Sequence, residues 1–598
     1  MMKRLMTGDE AVALGAFEAG VHFASAYPGT PSTEIMESFS QYDGVYAEWA
    51  TNEKVALEAA AGASFAGARS FSSMKHVGLN VAADPLFTFA YMGVNGGSVV
   101  ITADEPGQYS SQNEQDNRNY AKAAKMPMFE PANSQECRDM MIEAYEVSEQ
   151  FNTPVLLRMT TRVCHSKSIV ETGERKNVSI REYVKDPESR VCVPANARIW
   201  RRNVEERMKK LAVYAEGSRF NRVEYHETSK TGVIASGISY HYAKEVWGDS
   251  VNYLKLGFTN PLPDQLISDF CSKMDTIYVL EENDPYLEDE VRKLGFDCRG
   301  NDFFPPFGEM VPDVIRAALN GTLNDEKKEV PADTAIIREP TFCAGCPHRG
   351  FFYELGKRKD IMVSGDIGCY SLAYSNPYHA MDSCICMGSS FSAGHGAQTV
   401  FNMGDSGKRV VAVLGDSTFF HSGINSLINT VYNNSNTISV ILDNRITGMT
   451  GHQQNPGSGY TVKGEPANMI DIETVVRALG VKHIAVIDPN DLKQVKETLD
   501  AFVNLDEPSV IITRWPCVLK KLSQEDKEEF TDVFQTKCHV ETEKCIGCKL
   551  CLKTGCPAIR FNADEKKAFV LSADCVGCDV CAQVCPKNAI VKQGGRKV

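Results

Sequence analysis

Short apolar segments that end in Gly, Asp, Ser or Asn alternate with helix-like segments along much of this chain. In residues 408–444 an apolar, β-branched segment ends at 415–417, a helix-like segment follows, and a second apolar segment, 439–442, ends at Asp443 and Asn444. This order predicts a βαβ unit whose polar groups lie at the carboxyl ends of adjacent parallel strands. Ligands bind at that edge of open parallel sheets, so the pattern predicts an α/β fold with a ligand site.

Other segments repeat this pattern on the N-terminal side. Residues 365–369 and 382–390 are glycine-containing strand ends, whose backbone amides can approach a phosphate group closely. A strand-like segment at 45–50 precedes Glu53, which opens an alanine-rich helix at 53–63. By itself Glu53 is typical of a first-turn acid that complements the helix dipole, an effect of about 0.3 to 1 kcal/mol.

Length and composition restrict the class of protein. The 598 residues, 43% hydrophobic and 23% charged, predict several ordinary globular domains. A formal charge of -14 without a long basic segment argues against binding to nucleic acid or to anionic membranes. The first residues lack a signal-type apolar stretch, and no eighteen consecutive residues are apolar, so we expect a cytoplasmic protein.

The twenty cysteines are unevenly distributed, and eight of them lie between 545 and 585. In a cytoplasmic protein they are expected to be reduced, so dense groups of them suggest metal binding. Free cysteine packs as a small hydrophobe, so those that lie singly in the first half are expected to be inert core residues. These are Cys137, Cys164, Cys192, Cys271 and Cys298.

The two C-terminal groups of cysteines have the spacings C-x2-C-x2-C-x4-C-P and C-x2-C-x2-C-x3-C-P. They resemble the two-cluster bacterial ferredoxins, in which three ligands of each cluster come from one group and the fourth from the other. The resemblance implies one [4Fe-4S] cluster on Cys545, Cys548, Cys551 and Cys585, and another on Cys575, Cys578, Cys581 and Cys556. The first group has one residue more than the usual pattern before Cys556, and paired zinc sites are the alternative.

The βαβ unit at 408–444 resembles the thiamin diphosphate motif, GDG followed after 25 to 30 residues by NN. In that motif the Asp and the last Asn bind Mg²⁺, a cation that prefers oxygen ligands. The resemblance implies Asp416, Asn444 and the carbonyl of Ile446 as Mg²⁺ ligands, with Ser417 and Asp443 replacing the usual Gly and Asn. It also implies cofactor contacts from the glycine-rich strand ends, namely Asp366, Gly388, Ser389, Gly415, Asp416, Ser417, Asn444 and Ile446.

The N-terminal part resembles the pyrimidine-binding domain of 2-oxoacid:ferredoxin oxidoreductases. The matching features are Tyr-Pro-x-Thr-Pro-Ser at 27–32, Asn-Glu at 52–53, the Gly/Ala helix, and Ser-Met-Lys-His-Val-Gly at 73–78. The resemblance implies that Glu53 is the carboxylate that activates the aminopyrimidine, and that Thr30 approaches the substrate carboxylate. The arginine that binds this carboxylate in the pyruvate enzymes has no evident counterpart near 103–106, which fits an aryl oxo acid.

A further set of cysteines matches positions at which relatives bind a cluster close to the thiamin. The resemblance implies a possible third [4Fe-4S] cluster on Cys343, Cys346, Cys369 and Cys517. A zinc knuckle, or reduced cysteines at the edge of the cofactor, are the alternatives.

Over nearly the whole chain the order of segments resembles the alpha subunits of those family members that oxidise indolepyruvate. The predicted segments are a pyrimidine-binding thiamin domain at 1–180, a connecting segment at 181–228, a transketolase C-terminal-like domain at 229–325, a diphosphate- and Mg-binding thiamin domain at 335–525, and a two-cluster ferredoxin-like α+β domain at 536–598. The implied activity is oxidative decarboxylation of aryl 2-oxo acids to acyl-CoA and CO₂, with electrons passed through the clusters to ferredoxin.

The implied cofactors are thiamin diphosphate, Mg²⁺ and the [4Fe-4S] clusters. A smaller beta subunit in an α2β2 assembly, ferredoxin, coenzyme A and the oxo acid are the implied partners. One alternative is a non-redox thiamin decarboxylase or carboligase with a regulatory tail, and the other is an electron-transfer subunit without thiamin chemistry. The cysteine-rich tail counts against the first, and the set of Glu53, Asp416 and Asn444 against the second.

Overall fold

In the computed structural model the chain is an α/β protein that divides into two units, residues 1–329 and 330–598. The structure describes residues 2–226, 228–323, 340–404, 406–530, 534 and 536–593. The predicted domain ends at 1, 325, 335 and 598 lie outside these residues. Within the part of the chain that is described, none of the helices has the length and apolar character that crossing a membrane requires.

Unit 1 contains thirteen strands within its described residues. In chain order they are β1 (Lys3–Met6), β2 (Phe23–Ala26), β3 (Tyr46–Trp49), β4 (Ser70–Lys75), β5 (Ser98–Asp104), β6 (Met128–Phe129), β7 (Val155–Thr160), β8 (Ser168–Glu171), β9 (Arg222–Glu224), β10 (Thr231–Ser236), β11 (Asn252–Leu256), β12 (Phe258–Asn260) and β13 (Thr276–Leu280).

Helices cover the strands of this unit. They are α1 (Gly8–Glu18), α2 (Thr33–Phe39), α3 (Glu53–Phe65), α4 (His76–Val81), α5 (Ala83–Met92), α6 (Arg118–Ala124), α7 (Ser134–Phe151), α8 (Thr161–His165), α9 (Pro187–Arg190), α10 (Pro194–Glu216), α11 (Ser239–Trp247), α12 (Asp264–Cys271), α13 (Tyr286–Lys293) and α14 (Pro312–Leu319).

A seven-stranded sheet forms the larger core of unit 1, in the order β12-β6-β7-β5-β4-β2-β3. All of its neighbouring strands are parallel except β12, which pairs antiparallel with β6 at one edge. Strands β4 and β5 are buried along their whole length, as expected for parallel strands covered on both faces. The predicted α/β fold with parallel sheets is therefore confirmed.

The second sheet of unit 1 has the order β13-β10-β11-β9, in which only β9 is antiparallel. Its strands share one hydrophobic cluster with helices of the larger sheet, in which Leu86 and Phe89 pack with Ile234 and Leu254. The predicted connecting segment contains α10 and β9, and α10 buries Trp200, Val204, Leu211 and Ala215 at helical spacing. Residues predicted as a connecting segment therefore contribute one packed helical face.

A buried group of charges also joins the two sheets of unit 1. The guanidinium of Arg118, which is fully buried, donates to Asp116 (2.6 Å) and to Glu281 (2.7 Å). It also donates to the backbone carbonyl of Glu282 (2.8 Å). Because Arg118 opens α6 and Glu281 follows β13, this side chain ties the two sheets by paired charges as well as by apolar packing.

Unit 2 contains ten strands within its described residues. In chain order they are β14 (Ile361–Gly365), β15 (Ser383–Cys384), β16 (Arg409–Gly415), β17 (Ile438–Asp443), β18 (His483–Ile487), β19 (Ser509–Arg514), β20 (Lys537–Val540), β21 (Ile559–Asn562), β22 (Lys567–Val570) and β23 (Ile590–Gln593).

The helices of unit 2 are α15 (His348–Leu355), α16 (Ser389–Met403), α17 (Asp416–Thr418), α18 (Ile424–Tyr432), α19 (Ile472–Ala478), α20 (Leu492–Phe502), α21 (Gln524–Glu529) and α22 (Val580–Gln583). Two 3₁₀ helices, Cys369–Tyr374 and Leu550–Thr554, and a π-helical turn, Phe419–Gly423, complete it.

The main sheet of unit 2 has six parallel strands in the order β15-β14-β16-β17-β19-β18. Strands β16 and β17 are adjacent, so their carboxyl ends meet at one edge, as the sequence pattern predicted. The cysteine-rich C-terminal part forms two antiparallel pairs, β20 with β23 and β21 with β22.

The buried charges of unit 1 lead to a stability prediction. We expect Arg118→Leu to lower the free energy of unfolding by about 3 to 5 kcal/mol, because it leaves Asp116 and Glu281 buried without their cation. Urea unfolding of the full chain, followed by circular dichroism, measures the change. Arg201→Leu is the control, since Arg201 pairs with Glu205 on the exposed side of α10. Superimposable unfolding curves for the two variants would contradict the prediction.

Candidate active site and cluster sites

Three oxygen-bearing groups converge at the carboxyl edge of the sheet of unit 2. Asp416 follows β16 and is 3% exposed, and Asn444 follows β17 and is 9% exposed. The amides of Ser417 (2.8 Å) and of the Asn455 side chain (3.2 Å) donate to the Asp416 carboxylate, and the Ile446 backbone is a further neighbour. Burial, and next the charge of Asp443, raise the pKa of Asp416 to about 7.

These donors fit a bound Mg²⁺. The Ile446 amide donates to Asn444 Oδ1 (3.2 Å) and contacts the Asp416 carboxylate, so carboxylate and carboxamide oxygens, which this cation prefers, share one backbone neighbour. A bound cation would offset the cost of burying Asp416. Asp443 is not available for this role, because Arg514 (3.0 Å) and Arg445 (3.5 Å) pair with its carboxylate. Asn455 was missed by sequence reasoning, although it lies in a polar, glycine-containing loop after β17.

Asp366 shapes the turn that starts α16. Its carboxylate accepts hydrogen bonds from the amides of Ile367 (2.8 Å), Gly388 (2.9 Å) and Ser390 (2.8 Å). Burial raises the pKa of Asp366 to about 6 despite these donors. The amide of Ser389 donates to the carbonyl of Cys386 (3.1 Å), so all three turn amides have partners within the chain. The geometry therefore gives Asp366 a positioning role.

Gly388 is required by close packing and by its backbone conformation. Its φ of 82° lies in the left-handed region, and a Cβ there would lie 2.1 Å from Ser422 Oγ. Nearby, the hydroxyl of Thr447 donates to Ser417 Oγ (2.9 Å). Gly415 ends β16 with an extended backbone, directly before Asp416. The predicted residues at 388–389, 415–417 and 444–446 all belong to this carboxyl edge.

In unit 1 Glu53 is buried at the start of α3 and is only 5% exposed. Asn52 caps this helix by accepting a hydrogen bond from the amide of Val55 (2.9 Å). Glu53 packs against Gly78, where a Cβ would lie 2.6 Å from both Cγ and Oε1 of Glu53. A solvated acid that only complements the helix dipole would not need this burial, so the environment indicates a specific role for Glu53.

A buried amine lies beside the Gly29–Thr30 segment. Lys75 ends β4, is 9% exposed, and donates from Nζ to the carbonyl of Ser110 (3.0 Å). Glu105 Oε2 is 3.6 Å from this Nζ. A Cβ on Gly29 would lie 3.0 Å from Lys75 Cβ, so the glycine allows the lysine side chain to pass close to the backbone just before Thr30. Sequence reasoning searched 103–106 for a cation and missed Lys75, whose partner Glu105 lies in that segment.

The first predicted set of C-terminal cysteines lines a single cavity. Cys545, Cys548, Cys551 and Cys585 border it, and Cys551 interacts electrostatically with the other three. The amide of Ala568 donates to Cys545 Sγ (3.5 Å), and that of Ala589 to Cys585 Sγ (3.2 Å). Hydrogen bonds to sulfur are one of the influences that set cluster potentials.

In the second set, Cys578 interacts with Cys556, which comes from the first sequence group. The one-residue longer turn before Cys556 packs against the main part of unit 2. Thr554 is fully buried, and its carbonyl accepts hydrogen bonds from Arg349 (2.8 Å) and from Tyr378 (2.8 Å). The longer turn is therefore a packed part of unit 2.

The four upstream cysteines also come together. Cys346 interacts electrostatically with Cys369 and Cys517, and Cys343 interacts with the same two. Tetrahedral zinc would hold its sulfurs about 3.8 Å apart. Among the residues that the structure describes, no three of these sulfurs lie within 4.8 Å of one another.

The singly placed cysteines follow expectation with one exception. Cys137, Cys164, Cys271 and Cys298 are buried. Cys192 is exposed, so its assignment to the core was wrong. It lies two residues before α10, whose first residues are exposed to solvent.

Profiles of known families match three parts of the chain. Residues 14–235 match "Pyruvate flavodoxin/ferredoxin oxidoreductase, thiamine diP-bdg", residues 366–513 match "Thiamine pyrophosphate enzyme, C-terminal TPP binding domain", and residues 544–589 match "4Fe-4S dicluster domain". With the two parallel-sheet units and the cysteine module, these matches define the class as an iron–sulfur, thiamin diphosphate-dependent 2-oxoacid oxidoreductase.

Relatives of similar length narrow this class. The chain is 40% identical to the indolepyruvate oxidoreductase subunit IorA of Methanothermobacter marburgensis, over 99% of this chain and 97% of the relative. Identity to the same subunit of Pyrococcus horikoshii is 39%, with the same coverage. The 2-oxoglutarate synthase subunit KorA of Archaeoglobus fulgidus is 25% identical over 49% of this chain and 92% of the relative. The chain belongs to the family of indolepyruvate oxidoreductase IorA subunits.

This membership confirms the predicted family and enzyme class. It also confirms thiamin-binding domains of the parallel-sheet type followed by a C-terminal ferredoxin-like domain.

The packing of Glu53 leads to the next prediction. We expect Gly78→Ala to lower oxidoreductase activity about 10- to 100-fold, because the new Cβ would displace the Glu53 carboxylate. Turnover of the enzyme and its iron content should be measured together, and the iron content should not change. Gly62→Ala, in the same α3, is the matched control, because a Cβ there meets no atom within 4 Å. Equal activity of the two variants would contradict this account of Glu53.

Proposed function

We propose that this chain oxidatively decarboxylates aryl 2-oxo acids, indolepyruvate and related arylpyruvates, to the acyl-CoA and CO₂. Electrons pass through [4Fe-4S] clusters to ferredoxin. The observation that carries the proposal is that the Asp416 set and the eight-cysteine module belong to one unit. In this unit, buried Arg349 joins the loop of the upstream cysteines to the turn before Cys556. A thiamin-type site in the same unit as cluster sites favours a redox enzyme over a non-redox thiamin enzyme whose cysteine-rich tail is regulatory.

Roles follow from the environment of each residue. Glu53 is the carboxylate that would hydrogen-bond to the aminopyrimidine, and its burial against Gly78 fixes its position. Asp416, Asn444 and the Ile446 carbonyl would hold Mg²⁺, while Asp366 keeps the turn at Gly388 and Ser389 in shape. Thiamin diphosphate, when bound, supplies the electron sink that decarboxylation of a 2-oxo acid needs.

Thr30 and Lys75 are proposed to bind the carboxylate of the substrate. Lys75 supplies the positive charge that pyruvate enzymes take from arginine, and Ser110 and Glu105 hold its amine in place. A charge-assisted hydrogen bond of this kind contributes about 1.5 to 3 kcal/mol.

The electron path is proposed to use three clusters. Two are held by the C-terminal sets, and the third by Cys343, Cys346, Cys369 and Cys517. The electrostatic contacts among these four cysteines support one shared cluster site there. A smaller beta subunit, in an α2β2 assembly, completes the enzyme, and coenzyme A accepts the acyl group; the relatives named above are themselves subunits.

The first prediction of this proposal concerns activity. The chain, purified anaerobically with its partner subunit, should reduce ferredoxin or a viologen when indolepyruvate, phenylpyruvate or 4-hydroxyphenylpyruvate is added with coenzyme A. Glu53→Gln should abolish CO₂ release and leave the visible absorbance of the clusters intact, because it removes only the carboxylate.

Each contrary outcome has a definite meaning. Aldehyde release without an electron acceptor would identify a non-redox decarboxylase. Clusters without bound thiamin diphosphate or Mg²⁺ would identify an electron-transfer subunit. A clear preference for pyruvate would refute the aryl substrate, and unchanged turnover of the Glu53→Gln variant would refute the role of Glu53.

A second prediction concerns Lys75. Lys75→Met should raise KM for the oxo acid about 10- to 100-fold with a smaller change in kcat, because it removes a charge that binds the carboxylate. The KM for coenzyme A is measured in parallel and should not change. Lys54→Met is the control, since Lys54 pairs with Glu58 on the exposed side of α3. If Lys75→Met leaves KM for the oxo acid unchanged, another group binds the carboxylate.

A further inference from the structure

A ninth cysteine belongs to the C-terminal module and is outside both ferredoxin patterns. Cys538 lies in β20 and is 3% exposed. Its backbone amide donates to Cys575 Sγ (3.3 Å). Its side chain interacts with the sulfurs of Cys575 and Cys581, and its Sγ is 4.0 Å from Asp579 Oδ1. A thiol therefore lies directly beside two of the proposed ligands of the second cluster.

The module contains an internal repeat that places Cys538 in context. Strand β20 reads Lys-Cys-His-Val and strand β22 reads Lys-Ala-Phe-Val. Cys545 lies seven residues after Cys538 in β20, and Cys575 lies seven residues after Ala568 in β22. Ala568 is thus the counterpart of Cys538, and its amide donates to Cys545 as that of Cys538 donates to Cys575. One half of the module has a thiol where the other half has a methyl group.

Packing alone does not require a thiol at this position. The same strand position accommodates alanine in the other half, with the same hydrogen bond from backbone to sulfur. Free cysteine can fill space as a small hydrophobe. Cys538, however, faces two ligand sulfurs, and thiolate is the group that binds iron in these clusters.

We propose that Cys538 is a reserve ligand for the cluster held by Cys575, Cys578, Cys581 and Cys556. When Cys575 or Cys581 leaves its iron, Cys538 binds that iron instead. The Cys538 thiol gives its proton to the departing thiolate, one Fe–S bond breaks and one forms, and no electron is transferred. This inference rests on the proposed cluster ligands but not on the substrate or on turnover.

The two halves of the module allow a matched experiment on the full chain, purified anaerobically. Cys581→Ala, or Cys575→Ala, should keep the iron content of the unmodified protein and change the EPR spectrum of the reduced clusters. Cys538→Ala alone should also keep all of its iron. The double variant Cys581→Ala/Cys538→Ala should lose four irons per chain.

Cys551→Ala is the matched variant in the other half, because Cys551 and Cys581 are counterparts. It should lose four irons, and adding Ala568→Cys to it should restore them. Loss of four irons from both Cys581→Ala and Cys575→Ala would overturn the proposal. Full iron in the double variant, or loss of iron from Cys538→Ala alone, would overturn it as well. The Glu53→Gln variant should keep full iron and an unchanged EPR spectrum, so failure of the catalytic proposal would be seen separately.

Discussion

Buried charge that must be matched by a partner is the constraint on which both units depend. Removing a carboxylate from water costs several kcal/mol, and hydrogen bonds or an opposite charge must offset that cost. In unit 1 the guanidinium of Arg118 offsets the cost of burying the acids around it. In unit 2 three backbone amides donate to Asp366, and the amides of Ser417 and Asn455 donate to Asp416. Burial still raises both pKa values, to about 6 for Asp366 and to about 7 for Asp416, where the charge of Asp443 adds to it. Of these three sites, that of Asp416 gains most from a bound cation.

Sequence patterns predicted the local parts of this protein well, because those parts depend on periodicity and spacing. The βαβ unit around Asp416 follows from two apolar segments and the polar residues that end them, since parallel strands bring their carboxyl ends to one edge. The ferredoxin-like domain follows from cysteine spacing, since a cluster constrains the loop that surrounds it. Glu53 needed the resemblance as well, because its burial against Gly78 joins residues from different elements.

The features that were missed depend on contacts between segments far apart in the chain. Lys75 lies beside Gly29 because β2 and β4 are neighbouring strands, and nothing local to either segment indicates it. Likewise β12 joins the larger sheet of unit 1, although in the chain it lies between β11 and β13 of the smaller one. Asn455 and Cys538 are single polar residues that acquire a role from the ligand sets they contact. Propensity and periodicity do not report such pairings, which the tertiary structure sets.

Arg349 shows how the proposed cluster sites of unit 2 are held together. This fully buried guanidinium donates to the carbonyls of Phe342 (2.7 Å) and Cys343 (2.9 Å) as well as to that of Thr554. It therefore binds the loop that carries the upstream cysteines to the turn that precedes Cys556. Electron transfer between centres requires a fixed, short separation, and a buried cation bonded to three carbonyls fixes it more firmly than apolar contact would. The longer turn before Cys556 thus supplies the carbonyl through which the upstream and C-terminal sites are joined.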